Sequence, residues 1–141
     1  MQLWCSYFFA GDAVHLNDIY ERSTDSVRQY WTLGHLAAPR YLDRPVAVLT
    51  SDVTFSGGEE LAYNLKVLER ATLVGRTTRG GAHPTARFPV APHITVAVPT
   101  ARSINPVTGT NWEATGIEPD LPTAPEDALT AALEHLRTRP A

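Results

Sequence analysis

The chain is short of the residues that mark metal sites, disulfides and nucleic-acid surfaces. A single cysteine, Cys5, stands in 141 residues. That excludes an intramolecular disulfide and any cysteine-based metal cluster. The five histidines, His15, His35, His83, His93 and His135, are scattered with no i,i+4 pair, so the sequence offers no metal site and calls for no cofactor. Lysine is almost missing, Lys66 being the only one among twelve basic residues. With a net charge of −3 and no stripe of Lys or Arg, nucleic acid is not an expected partner. No apolar run reaches the length that spans a bilayer. The opening "MQLWCSYFFAGDA" is apolar but has no basic n-region, so it does not read as a signal peptide and the cytoplasm is the default compartment.

What is present suits one α/β domain of ordinary composition, 43% apolar and 19% charged. In "MQLWCSYFFA", Leu3, Trp4, Tyr7 and Phe8 share one face of a short helix that starts without a capping residue. This abrupt start reads as the tail of an element, and the bare face as a surface for oligomers. Residues 13–33 predict a hairpin, with "RSTDS" turning between stretches around Val14–Tyr20 and Val27–Leu33. "VAVLTS" (46–51) has the continuous apolar character of a strand buried on both faces. A helix over 57–69 follows, with Leu61, Leu65 and Leu68 inward, then "ATLVGRTT" (71–78) as a second strand. Together they make a β-α-β unit of about 30 residues. Residues 79–93 read as a Gly/Pro-rich loop, 94–104 as one strand, and 105–120 as irregular. The end predicts a helix capped by Thr123 and Glu126, with Leu129, Ala132, Leu133 and Leu136 on its apolar face. The expected architecture is α/β with a mixed sheet.

The junction "TFSGGEE" (54–60) holds the chemistry. Two glycines in a first helical turn cost roughly 1 kcal/mol each relative to alanine. Ser56 reads two ways. As Ser-x-x-Glu with Glu59 it is a capping box. As a serine at a strand-to-helix turn it is a nucleophile at the carboxyl end of a sheet, with the Gly57 N–H at the helix N-terminus facing a developing oxyanion. Gly57 and Gly58 would then leave room for an acyl group. The hydrolase-elbow pattern G-x-S-x-G is absent, since Thr54 stands two before Ser56. Lys66, ten residues along the same helix, lies about 15 Å away and cannot serve as base. Glu59 and Glu60 suit the first-turn dipole and read as structural. Gly116 and Pro119 in "GIEPD" set a turn.

"TSDVTFSGGEELAYNLKVLERATLVGRTTRGGAHP" followed by "NWEATGIEPDL" resembles the tail-specific, or C-terminal-processing, serine protease family, over roughly residues 40–136. The nearer likeness is to the branch of the tricorn protease core and the interphotoreceptor retinoid-binding protein modules. The resemblance implies a β-α-β superhelical fold akin to ClpP and crotonase, and a peptide or protein substrate. It makes Ser56 the nucleophile and Gly57 an oxyanion donor, with Gly58, Gly80 and Gly81 lining the binding surface. Gly81 falls where the Ser-Lys branch has its lysine, so that dyad is absent. Glu113 matches the glutamate of the tricorn-like branch. The histidine that this glutamate assists belongs to a preceding segment with no counterpart here, so the resemblance is to the C-terminal portion of the domain. His83 is the replacement base the chain offers, or a substrate contact. Three functions follow: a serine peptidase impaired as an isolated chain, a non-catalytic module for an apolar ligand or peptide, or a remnant completed by a partner chain.

Overall fold

The computed structural model describes residues 1–11 and 13–138. Two three-stranded sheets and a separate hairpin are joined by three helices. Helix α1 (Gln2–Ser6) precedes the hairpin β1 (His15–Glu21) and β2 (Ser26–Trp31). Strand β3 (Ala47–Thr50), helix α2 (Gly57–Val67) and strand β4 (Thr72–Gly75) form the expected β-α-β unit, with β3 and β4 parallel from Ala47↔Thr72 to Thr50↔Gly75. Then come β5 (Thr85–Ala91), β6 (Ile94–Pro99), β7 (Ala101–Ile104), the short β8 (Leu121–Pro122) and helix α3 (Ala128–Thr138).

The α/β class is as expected, and parallel and antiparallel pairings sit in separate sheets. The order β3-β4-β8 is parallel throughout, while β2-β1-β7 is antiparallel. The parallel sheet carries α2 and α3. From α2 and β4, Ala62 and Leu73 meet Ala82, Trp112 and Ile117 in the core, with Val48 and Tyr63 against them. Burying a leucine or isoleucine here stabilises by roughly 1.5–3 kcal/mol. Gly75 is required where β4 ends: at φ +132 a Cβ would stand 2.0 Å from the Thr50 carbonyl oxygen. The lone Cys5 is fully buried, and burial pushes its thiol up to about 11.

Several expectations need correction. Strand β3 is not buried on both faces, since Leu49 is exposed. Residues 79–93 are not all loop, because β5 pairs with β6 antiparallel from Thr85↔Pro99 onward. The expected strand over 94–104 is two strands, broken at Thr100, and β7 leaves β6 to pair with β1. Pro89 and Pro99 hid the hairpin, since proline is tolerated only where a ladder donor is not needed. The Thr123–Glu126 cap does not form. Thr123 Oγ1 is buried with no hydrogen-bond partner among the described residues, and α3 begins five residues later. Ala128 and Ala132 turn inward on α3, whereas Leu129 and Leu133 are exposed. Arg139, at the end of that expected helix, lies outside the described residues.

At the N-terminus the buried residues of α1 are Cys5 and Ser6, while Leu3 and Trp4 are 52% and 63% exposed. An open groove of about 400 Å³ runs between Trp4, Tyr7, Phe8, Tyr41 and Leu136. No helix among the described residues is long and apolar enough to cross a membrane.

Leu73 is fully buried at the centre of the core. Leu73→Ala should therefore destabilise by about 3 kcal/mol. Urea unfolding should show a lower midpoint at an unchanged slope.

Candidate active site

The segment after β3 turns sharply before α2 begins, and Ser56 sits at the turn. Its backbone is at φ 53, ψ −117. The left-handed half of the map is unfavourable for a residue with a Cβ, and a non-glycine residue held there costs about 1–3 kcal/mol. Ser56 is exposed, and its N–H donates to Glu59 Oε2 at 2.8 Å. That is the return arm of the predicted capping box, whose other arm, from the Glu59 N–H to the Ser56 side chain, is present as well. The Gly57 N–H, next along, donates to no group among the described residues. It lies at the positive end of α2, where an anion is stabilised.

The carboxylate that fixes Ser56 is completely buried. Glu59 Oε1 accepts from Thr78 Oγ1 and from the Gly80 N–H, each at 2.6 Å. Oε2 accepts from Gly81 N at 2.9 Å as well as from Ser56 N. Burial pushes the carboxyl up, yet the hydrogen bonds from Thr78, Gly80, Gly81 and Ser56 outweigh it and hold Glu59 below its ordinary value. The sequence reading placed Glu59 as structural, which it is. What it missed is the reach, because the partners lie about twenty residues on and only the S-x-x-E half was visible.

A second carboxylate continues the arrangement. Glu113 Oε2 accepts from Ala82 N at 2.6 Å and His83 N at 3.0 Å. Four consecutive amides, Gly80 to His83, are thus held by two glutamates, and Trp112 Nε1 donates to the Gly81 carbonyl at 3.2 Å. Glu113 Oε2 also lies 3.8 Å from His83 Nδ1. The structure therefore brings Glu113 and His83 together, and sets their loop beside Ser56 through the shared oxygen of Glu59. Among the described residues no histidine or lysine side chain hydrogen-bonds Ser56.

The glycines divide into two kinds. At Gly81 a Cβ would stand 2.1 Å from the Phe55 ring, so this position is closed to any side chain while Phe55 stays in place. The N–H groups of Gly80 and Gly81 are committed to Glu59, and the space at their α-carbons is taken by the Ala114–Gly116 backbone and by Phe55, so the structure does not present these two as a substrate-binding surface. At Gly57 and Gly58 a Cβ would meet only Met1 Cε and Thr54 Cγ2, each at 3.5 Å, an ordinary contact. Lys66 is engaged elsewhere, with Asp120 at 2.9 Å and the Glu118 carbonyl at 2.6 Å. Gly116 takes the turn at φ 69. No group of His, Cys, Asp and Glu among the described residues is arranged to hold a metal.

The profile of peptidase family S41 matches residues 7–123. The chain belongs to this family. A photosystem II D1 C-terminal processing protease superposes with a TM-score of 0.64 at 25% identity, over 94% of the S41 chain and 33% of its own. A protein described as an S41 protease from Bacteroides fragilis gives a TM-score of 0.76 at 21% identity, over 96% and 40%. A protein described as a peptidase from Parabacteroides merdae gives 0.73 at 20% identity, over 94% and 45%. The S41 chain thus spans less than half the length of each of these structures.

Glu59→Gln replaces an acceptor of four hydrogen bonds with a group that must point an N–H₂ at two of those donors. It should cost about 3 kcal/mol. Because the folded carboxyl titrates below its unfolded value, its contribution is complete above the ordinary carboxylate range. It is lost as pH falls through the depressed folded value. Acid titration of the two proteins should show the stability gap closing as pH drops through that range.

Proposed function

We propose that this chain carries the nucleophile half of a serine peptidase site, cleaving a peptide through an acyl-enzyme on Ser56. The observation that carries the reading is the Ser56 backbone, held at a positive φ at a strand-to-helix turn by a buried carboxylate. Strain of this kind persists where the surrounding structure enforces it, and it clusters at functional positions. A helix cap alone has no need of it, since capping residues ordinarily sit in the extended region.

Ser56 Oγ attacks the scissile carbonyl carbon, and the carbonyl oxygen takes the charge as the tetrahedral intermediate forms. The Gly57 N–H, free of any partner among the described residues, donates to that oxygen at the end of the α2 dipole. The Ser56 proton passes to a base and then to the leaving amine. Water, losing a proton to the same base, then attacks the acyl carbon; the bond to Ser56 Oγ breaks and the base returns the proton to that oxygen. The base the chain itself offers is His83, whose Nδ1 faces Glu113. The substrate class is a peptide or protein.

The glycines support the same reading. Neither Gly57 nor Gly58 is crowded within the chain, so packing does not explain the cost they impose on the first turn of α2. Room for an acyl group does. A second reading, in which a partner chain or second copy completes the site, is favoured by the exposed Leu3 and Trp4 and the groove beside them.

Intact mass after treatment with a fluorophosphonate probe tests the proposal. Stoichiometric labelling, lost in Ser56→Ala, is expected. Labelling slowed by ten-fold or more in His83→Ala would make His83 the base, whereas an unchanged rate would place the base outside this chain. A folded protein that takes no label overturns peptidase activity for the chain alone. Gly57→Ala should leave stability unchanged or raise it by up to about 1 kcal/mol. If it is the space that matters, the same substitution slows labelling strongly.

A further inference from the structure

Glu60 stands one residue after the buried Glu59, yet its surroundings are of a different kind. Its carboxyl enters no hydrogen bond or ion pair among the described residues, although it is half-buried. It opens into a cavity of about 480 Å³ lined also by Met1, Gln2, Ile19, Tyr30 and Pro84. A glutamate serving only the helix dipole would sit in water, where its charge costs nothing to hydrate.

The cavity adjoins the site just described on two sides. Met1 Cε lies 3.5 Å from where a Cβ on Gly57 would stand, and Pro84 follows His83 directly. The Glu60 N–H donates to the Ser56 carbonyl at 2.9 Å, so the side chain lies one helical turn behind the serine. Apart from Gln2 and Glu60 the lining is apolar or aromatic. This is the combination that takes a long methylene stem ending in a cation: apolar walls, a tyrosine ring for the cation to rest against, and one carboxylate that enters no hydrogen bond or ion pair among the described residues, though the Met1 ammonium is near enough to act on it.

We propose that this cavity receives a substrate side chain beside the scissile bond, and that Glu60 selects there for a lysine- or arginine-type cation; the proposal rests on Ser56 being the nucleophile. A neutral or acidic side chain would leave Glu60 unpaired or face it with like charge. A basic one supplies the missing partner. Burial raises the Glu60 carboxyl above its ordinary value, and the Met1 ammonium pulls it the other way without offsetting that. An incoming guanidinium or ammonium would favour the charged carboxylate and pair with it.

The test uses the ¹⁵N-labelled chain with benzamidine, its neutral analogue benzamide, and benzoate. Benzamidine should give saturable amide shifts at Ile19, Tyr30 and Glu60, with weaker binding by benzamide and none by benzoate. Glu60→Gln should weaken benzamidine binding roughly ten-fold or more, the size of a charge-assisted hydrogen bond. Benzamidine at saturation should also slow fluorophosphonate labelling of Ser56. Equal binding of benzamidine and benzamide overturns the proposal, as does unchanged binding in a folded Glu60→Gln. Benzamidine bound without any effect on labelling overturns it too, because the cavity would not then border the nucleophile. Should Glu60→Gln not fold, the three-ligand comparison on the unaltered chain still decides. If Ser56 takes no label even without benzamidine, the peptidase reading itself fails, and the cavity is no substrate pocket whatever it binds.

Discussion

The buried carboxylate of Glu59 is the constraint on which the rest of the site depends. An ionised group removed from water is tolerable only when hydrogen bonds replace its hydration. Glu59 obtains four of them, from Ser56, Thr78, Gly80 and Gly81. These donors come from the turn before α2 and from the chain just after β4. Holding them on one pair of oxygens fixes the strand-helix junction against the Gly-rich loop. The same contacts explain how Ser56 can stay at a backbone angle that it would not choose alone. Strain at one residue is offset by four charge-assisted bonds, each worth more than an ordinary one.

Glu113 repeats the device two residues further along. Its oxygen gathers the Ala82 and His83 amides, and Trp112, its neighbour in sequence, reaches the Gly81 carbonyl from the core. The loop from Gly80 to His83 is therefore held through its own backbone, and its Ala82 carbonyl also accepts from Ser103 N of β7 at 3.3 Å. This matters for chemistry. A loop clamped through its backbone keeps its side chains in place without spending them on structure, and the His83 ring remains available beside Glu113.

Much of this was readable from local pattern. The β-α-β unit announced itself through two compact apolar runs about a helical stretch, and the first hairpin through its turn residues. Ser56 and Glu113 were marked by the resemblance of "TFSGGEE" and "NWEATGIEPD" to one protease family. The clamp itself was not readable. Glu59 shows only its Ser56 arm in sequence, because its other partners are separated from it by a whole helix and strand. The hairpin β5-β6 was obscured for a different reason. Both strands are exposed along nearly their whole length, so no alternation of buried and solvent-facing residues distinguishes them from loop, and Pro89 argues against a strand locally. The false cap at Thr123 shows the converse error: S/T-x-x-E spacing is necessary for a capping box, but here the chain uses Thr123 to pair its N–H with Gly75 across the sheet instead.

Two glycines, two glutamates and one serine then make a single argument. Glycine at the start of α2 weakens the helix, and Ser56 strains the turn, so the segment 54–60 works against local folding in these two respects. Natural sequences tolerate such inconsistency where function demands it. Glu59 answers the strain and leaves nothing over for chemistry, since all its acceptor capacity is directed inward. Glu60, on the same turn, has the opposite disposition, with acceptor capacity and no donor among the described residues. On the proposed reading, a helix that devotes one carboxylate wholly to structure and leaves its neighbour without a hydrogen bond among the described residues separates two tasks: holding the nucleophile and meeting the substrate.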